Sequence, residues 1–524
     1  MLSLENPGIK TQSRDLDDPQ VLLATLQDIR QSVYEEGQQI FSQWKPYIQR
    51  DSLIKSAENL AYYLALRHHD LRTLQAALIP WGLSSLGRIE ARVLPNLDAV
   101  ICTLGAICQV EPNSLPNRPS INSFLEGEYL LRHNTEEVLG QINNQRWVRI
   151  MATLPSTTAN NYKNIQDLLH KGTNCVRINC AHDSPETWEA MIAYVRRAEA
   201  QTGQRCKIMM DLAGSKPRIK RIIAPCGYKH IFPGDSLLLR RELPDLELQN
   251  DSNLLTPGFW QATCTIPSII DRLERGANIW IDDGRIGGYV ECLIPEGVVL
   301  KITHARDKGE KISADKGLNF PDSSLNLSPL TEKDKQDLDF IVAHADIIGY
   351  SFVQEVADIE LLQQELEARR DKLSHHQIAL VAKIETPQAI KNLPELIVRA
   401  AGKQPFGVMI ARGDLAVEIG YQRLAEMQEE ILWLCEAAHV PVIWATQVLE
   451  QFVKKGVPNR AEMTDAAMAE RAECVMLNKG RYQAQAVSIL DNVLKRMQEH
   501  QSKKTSQLRA LHSWKFDGIT TNRL

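Results

Sequence analysis

The chain has no cysteine pair at CxxC spacing and no Cys/His cluster at zinc-finger spacing; its ten cysteines are scattered singly. That pattern argues against a disulfide framework or a structural zinc site, and suits small buried thiols in a reducing compartment. No uncharged apolar run reaches the about 18 residues that a membrane-crossing helix needs. The first residues, MLSLENPGIKTQSRDLDDPQ, lack the basic start and apolar core of an export signal. Net charge is only −5, so no overall field draws nucleic acid or an anionic membrane. These absences lead us to expect a soluble cytoplasmic protein with neither as a partner.

What is present suffices for a large core. With 524 residues, 44% of them hydrophobic, two or three domains are expected. From about Pro19 to Cys108 apolar residues recur three and four apart, as in VLLATLQDIRQSVYEEGQQIFSQW, which predicts a helical bundle. No catalytic constellation falls in it, so this N-terminal region, taken as residues 1–145, is expected to serve assembly or regulation rather than chemistry.

Between Val148 and Asn478 eight short β-branched runs alternate with helix-period segments: VRIMATL, CVRINC, CKIMMDL, IIGYSFV, IALVAKIE, GVMIAR, VPVIWAT and CVMLN. Eight such units predict a closed (β/α)8 barrel over residues 146–218 and 317–502, within an α/β class. The roughly one hundred residues after CKIMMDLAGSKPR are rich in Gly, Pro and strand-like runs, too long for a structureless loop, so residues 219–316 are read as an inserted β-rich lid over the barrel mouth. Residues 503–524 are left as a C-terminal tail.

Chemistry in such barrels gathers at the C-terminal ends of the strands. Those ends carry Thr153, Arg177 with Asn179, Asp211, Ser351, Lys383 with Glu385, Arg412 with Asp414, and Thr446 with Gln447. Any one of them alone can be a cap or a surface pair. Together they fit a site in which Glu385 and Asp414, ending adjacent strands, converge on a hard divalent cation. Lys383 lies two residues before Glu385, on the same side of its strand. In MIARGDLAVEI, Gly413 would let backbone N–H groups approach an anionic ligand at a helix start, while Asp414 holds the metal or merely caps the helix.

The ordered set VRINCAH, MMDLAGSKPR, WIDDGRI, DKGLNFP, VAKIETPQAI, MIARGDLAVEI and VIWATQVLEQFVKKGVPNRAEMTD resembles the pyruvate kinase family over about Arg149 to Leu477. The resemblance implies phosphoryl transfer from phosphoenolpyruvate to ADP, giving ATP and pyruvate. It implies Mg2+ or Mn2+ held by Glu385 and Asp414, and Lys383 stabilising the phosphoryl group in transit. Arg177 would bind the phosphate, Gly413 the substrate carboxylate, and Thr446 would help relay a proton to the enolate carbon. Pro155, His182, Arg218 and Lys316 fall on positions that resemble nucleotide contacts.

Departures from the family's pattern are specific. The family's C-terminal domain is expected to be lacking, the last strand continues as NKGRYQ, and the first turn, TLPST, reads as one residue short. The N-terminal helical region has no counterpart in familiar members. Of the monovalent-cation site, Asn179, Asp211 and Leu212 remain, but Ala181 replaces a serine. Lys216 stands where potassium-dependent members carry glutamate, so an internal cation is expected in place of potassium, which would not be required. Self-association is left open. Two rivals remain: another barrel enzyme handling phosphoenolpyruvate or pyruvate, which needs neither lid nor Lys316, and a non-catalytic relative acting as a binding or scaffold protein, against which the retained Arg177, Lys383, Glu385, Asp414 and Thr446 argue.

Overall fold

The computed structural model describes residues 15–506, except 84, 143–145, 226, 244–258, 324, 326, 373–376 and 504. Most of the expected C-terminal tail therefore lies outside the described residues.

Before the barrel come α1 (Pro19–Trp44), α2 (Ile54–Arg67), α3 (Arg72–Leu78), α4 (Val93–Ile107) and α5 (Ile121–Leu139). Helix α1 starts where Asp18 accepts the Gln20 backbone N–H at 2.8 Å and Pro19 presets the first turn. Its Leu22, Leu26, Ile29, Val33 and Phe41 recur on one buried face. Gly37 permits the close approach of α2, because a Cβ there would stand 2.4 Å from Cδ1 of Tyr62. Helix α5, beyond the stretch whose periodicity predicted helices, buries only Gly127, Thr135, Val138 and Leu139. An exposed helix lacks the apolar stripe that makes it visible in sequence.

The eight parallel staves are β1 (Arg149–Thr153), β2 (Cys175–Asn179), β3 (Lys207–Asp211) and, after the insertion, β11 (Ile347–Tyr350), β12 (Ala379–Ile384), β13 (Phe406–Ala411), β14 (Val442–Ala445) and β15 (Cys474–Leu477). They close in the order β1-β15-β14-β13-β12-β11-β3-β2. Strands covered on both faces must be apolar throughout, as IIGY and FGVMIA are, with every residue buried. The insertion is a seven-stranded sheet built from β4 (Ile219–Ile223), β5 (Ser236–Arg240), β6 (Trp260–Cys264), β7 (Asn278–Ile281), β8 (Ile286–Ile294), β9 (Gly297–His304) and β10 (Leu318–Asn319), with its own core around Leu237, Val290, Val298 and Leu300. No described helix is long and apolar enough to cross a membrane.

The N-terminal region does more than the sequence reading assigned to it: it forms the barrel's floor. Val138 and Leu139 share one core cluster with the barrel residues Met151, Cys175, Met209, Ile347, Val381, Met409 and Cys474. At the N-terminal end of the staves, Arg149 donates to the Gly140 carbonyl at 2.9 Å and Cys175 Sγ to the Leu139 carbonyl at 3.4 Å. Asn134 donates to the His439 carbonyl at 2.7 Å, Trp44 Nε1 to Glu395 at 2.7 Å, and the Gly402 carbonyl accepts from Gln49 and Arg50.

His439 is the polar centre of this junction. It is 2% exposed, with Nε2 3.0 Å from the Ala91 carbonyl and Nδ1 2.9 Å from Ser56 Oγ. A carbonyl only accepts, so Nε2 carries the proton and Nδ1 accepts from the serine hydroxyl. Burial lowers the imidazole from its ordinary 6.5 to about 4, against the pull of Ala91 and Glu126. Because the unfolded chain binds this proton first, stability is full above pH 6.5 and declines as pH falls toward about 4. The expected loss is at most about 3 kcal/mol. Urea midpoints compared at about pH 7 and about pH 4.5 should show it, and His439→Asn, a residue that tolerates the left-handed backbone there (φ 52°), should flatten that part of the slope. An unchanged slope in the variant would count against this assignment.

Candidate active site

The C-terminal ends of β2, β3, β11, β12 and β13 bring Arg177, Asp211, Ser351, Lys383, Glu385 and Asp414 into one network. Lys383, on β12, sits at its centre: Nζ donates to Ser351 Oγ at 2.7 Å and lies 2.9 Å from Glu385 Oε1 and 3.7 Å from Asp211 Oδ2. The Ser351 hydroxyl donates its hydrogen bond to the Leu212 carbonyl at 2.8 Å, which turns a lone pair toward the ammonium. Arg177 grips Asp211 Oδ2 through Nε at 2.7 Å and Nη2 at 2.6 Å, and reaches Thr153 Oγ1 at 3.3 Å. Asp211 is 1% exposed, and its Oδ1 has no hydrogen-bond partner. That oxygen lies over Gly349 of β11, where a Cβ would come within 2.0 Å of it.

Glu385 is 1% exposed and accepts the Phe352 backbone N–H at 2.6 Å. Burial raises its carboxyl above the usual range and the charge of Asp414 adds to this, while Lys383 opposes it. Asp414 lies in the first turn of the helix Arg412–Ile419, which follows β13 directly. Burial would raise it too, but Lys216, joined by Lys383 and Asn319, more than offsets that and holds it below the usual carboxylate range. Lys216 is not a surface lysine: its side chain is 10% exposed, contacts Asp414 and lies 3.6 Å from Asp283 on the lid. Its ion-pair partners are thus Asp414 and Asp283, whereas Asp211 of the monovalent-site remnant pairs with Arg177 and Lys383.

Thr446 sits past the end of β14 with φ 64°, a strained value for a β-branched residue, and its Oγ1 accepts the Gly413 N–H at 2.9 Å. The N–H expected to meet a substrate carboxylate is thus paired with Thr446 here. Arg412, at the rim by sequence, turns inward: it pairs with Asp465 and donates to the Ala445 carbonyl at 3.0 Å, so it braces the Thr446 turn.

The residues resembling nucleotide contacts divide between barrel and lid. Pro155 lies at the start of the first βα connection, whose Ser156 donates to Asp183 beside His182 at 2.9 Å. Burial lowers the His182 imidazole, and Lys479, Arg218 and Arg177 lower it further. Lys316 Nζ pairs with Asp282 at 2.8 Å, and Arg218 donates to the Asp315 carbonyl at 2.9 Å, both on the lid side. Asn179 Oδ1 accepts the Ala181 N–H at 3.1 Å.

Several participants escaped the sequence reading. Lys479 follows the last stave and faces His182; Asn319 donates to Glu418 at 2.9 Å, next to Asp414; and Tyr421 reaches the Asp283 carbonyl at 3.4 Å, docking the lid's tip. Of these, only the cationic NKGR after the last stave was visible in sequence.

Among the described residues no group of three or more His, Cys, Asp or Glu is arranged to hold a metal. The donor chemistry nevertheless fits a hard divalent ion that keeps several waters. The carboxylates of buried Glu385 and partly buried Asp414, just past the ends of neighbouring staves, feel each other's charge, and each has a lysine, Lys383 and Lys216, as its present counter-charge.

Fold and rim together define a (β/α)8 barrel with an inserted lid sheet and a charged network at the C-terminal ends of the staves. Residues 145–487 match the family model of the pyruvate kinase barrel domain. The chain belongs to the pyruvate kinase family. It is 31% identical to pyruvate kinase of Dictyostelium discoideum, over 62% of this chain and 61% of that one. It is 29% identical to human pyruvate kinase PKLR over 70% and 62%, and 30% identical to pyruvate kinase of Geobacillus stearothermophilus over 68% and 57%. The chain thus spans about six tenths of the length of these relatives.

Proposed function

We propose that the chain transfers the phosphoryl group of phosphoenolpyruvate to ADP, giving ATP and pyruvate, in the cytoplasm. The observation that supports this best is the ammonium of Lys383, set between Glu385 and Asp211 with its Ser351 partner, in a chain of this family. Such transfer asks for positioning and charge rather than a covalent intermediate. Arg177 would orient the substrate phosphate, with Asp211 fixing its guanidinium plane. Lys383 would meet the charge on the equatorial oxygens as the bond to the enolate oxygen breaks. Glu385 and Asp414 would hold a divalent cation, which when bound supplies neutralising charge at the phosphoryl oxygens. Thr446, released from the Gly413 N–H, would relay a proton toward the enolate carbon, freeing that N–H for the substrate carboxylate. Pro155, His182, Arg218 and Lys316 would line the nucleotide side, and the lid would exclude water. A coupled assay for pyruvate formed from phosphoenolpyruvate, ADP and magnesium tests the reading; no pyruvate from well-folded protein would overturn it.

Lys216 carries a second expectation. Its enclosed ammonium beside Asp414 supplies fixed positive potential at the network, so potassium is not needed for that purpose. Rates should be similar in potassium, sodium and bulky organic-cation buffers at equal ionic strength, and Lys216→Glu should be slower and partly rescued by potassium. Strong potassium activation of the unaltered chain would refute this.

A further inference from the structure

The lid joins the barrel through a two-stranded neck. The chains leading in and out run side by side, with Ile219 donating to the Lys316 carbonyl at 2.8 Å and Leu318 to the Pro217 carbonyl at 2.9 Å. Lys216 stands at the base of this neck, where Pro217 disfavours a helical turn. Its stem passes directly against the returning chain, since a Cβ on Gly317 would come within 2.5 Å of Lys216 Cε. The ammonium at the end of that stem has two carboxylates in reach. Asp414 of the barrel is in direct contact, and Asp283 of the lid lies 3.6 Å away.

The two carboxylates are unequal partners. The side chain of Asp414 is 21% exposed and that of Asp283 65%, so water competes far more for the second. Asp282, next to it, is already taken by Lys316 at 2.8 Å and Arg285 at 3.3 Å. Among the described residues Lys216 is the only ion-pair partner of Asp283, which therefore has capacity to spare. A divalent cation arriving at Asp414 would meet the ammonium already there, and two positive charges on one partly buried carboxylate repel strongly where water is scarce. Asp283 is the nearest place for the ammonium to go.

We propose that Lys216 is a positioning residue that competes with the divalent cation for Asp414 and yields to it by passing its ammonium to Asp283, so that filling the metal site transfers the lysine from barrel to lid. The proposal rests on the reading of Glu385 and Asp414 as the metal carboxylates. The ammonium stays at the barrel mouth throughout, so its positive potential is kept there. Asp283 sets how readily the cation binds without touching it.

Mn2+ binding to the full chain, followed by electron paramagnetic resonance of the free ion, tests the proposal without turnover. Lys216→Met, which keeps the stem and removes the competitor, should bind Mn2+ at least about tenfold more tightly than the unaltered chain. Asp283→Asn should bind it about threefold or more weakly, because the ammonium then has no carboxylate to move to, and Asp283→Glu should restore the affinity. In the Lys216→Met background Asp283→Asn should change the affinity by less than about twofold, whereas a direct long-range effect of the Asp283 charge would act with or without the lysine. Equal losses in the two backgrounds, or equal affinities of Asp283→Asn and Asp283→Glu, would overturn the relay. Should Lys216→Met fail to fold, Lys216→Gln serves in its place, and the Asn–Glu comparison at the exposed position 283 stands in either case. Glu385→Gln separates the relay from the reading beneath it. If this variant and the unaltered chain bind Mn2+ equally, the ion lies elsewhere and both fall; if the variant binds it more weakly but the double-mutant cycle is additive, only the relay falls.

Discussion

Lys383→Met should lower turnover by about three orders of magnitude, roughly 4 kcal/mol of transition-state stabilisation, while leaving the affinity for phosphoenolpyruvate close to that of the unaltered chain. Methionine keeps the length of the stem and removes the charge that lies 2.9 Å from Glu385 and 3.7 Å from Asp211. Arg177 still holds Asp211 in the variant, so the substrate phosphate keeps its main partner. What is lost is the cation that matters most as charge redistributes, which appears in turnover rather than in ground-state binding. The variant also leaves Glu385 without its ammonium, so its melting temperature should be measured alongside. Weaker phosphoenolpyruvate binding with unchanged saturating turnover would contradict the assigned role.

Deleting residues 1–145 should give an insoluble or aggregated barrel. The deletion removes Val138 and Leu139 from the cluster that fills the barrel's lower end, and burying each is worth roughly 1.5–3 kcal/mol. It also strips His439 of Ser56 and Ala91 and takes the Gly140 carbonyl from Arg149, leaving polar groups without partners on an apolar floor. Against a total stability of about 5–15 kcal/mol these losses decide the outcome. Expression followed by size-exclusion chromatography is the direct check. In the full chain, Leu139→Ala should destabilise by about 2–5 kcal/mol. A soluble, monodisperse barrel that melts like the parent would show that the floor is dispensable.

How far the fold could be read depended on burial. Staves covered on both faces are uninterrupted apolar words such as IIGY and FGVMIA, so eight of them stood out and the barrel followed. Strand β4, IKRII, is buried only at Ile219, and WQATC of β6, though buried throughout, mixes polar with apolar residues, so neither announced itself. Helix α5 was hidden for the same reason, with few buried positions. At the rim, strand ends were readable because position along a stave fixes position around the mouth. Directions across the mouth were not. That Lys216 folds onto Asp414, that Arg412 turns in to Asp465, and that Thr446 occupies the Gly413 N–H all depend on segments far apart in sequence meeting in space.

The seam of the barrel joins Arg149 to Cys474, the first stave to the last. On a ribosome, the helix that closes the floor is therefore complete long before the final stave emerges. Until Cys474 is released, β1 carries an unpaired edge facing the gap that β15 will fill. Such an edge invites pairing with another nascent chain. The early floor helix gives the arriving staves an apolar post to gather on, and makes the last strand a keystone whose arrival is governed by translation as much as by diffusion.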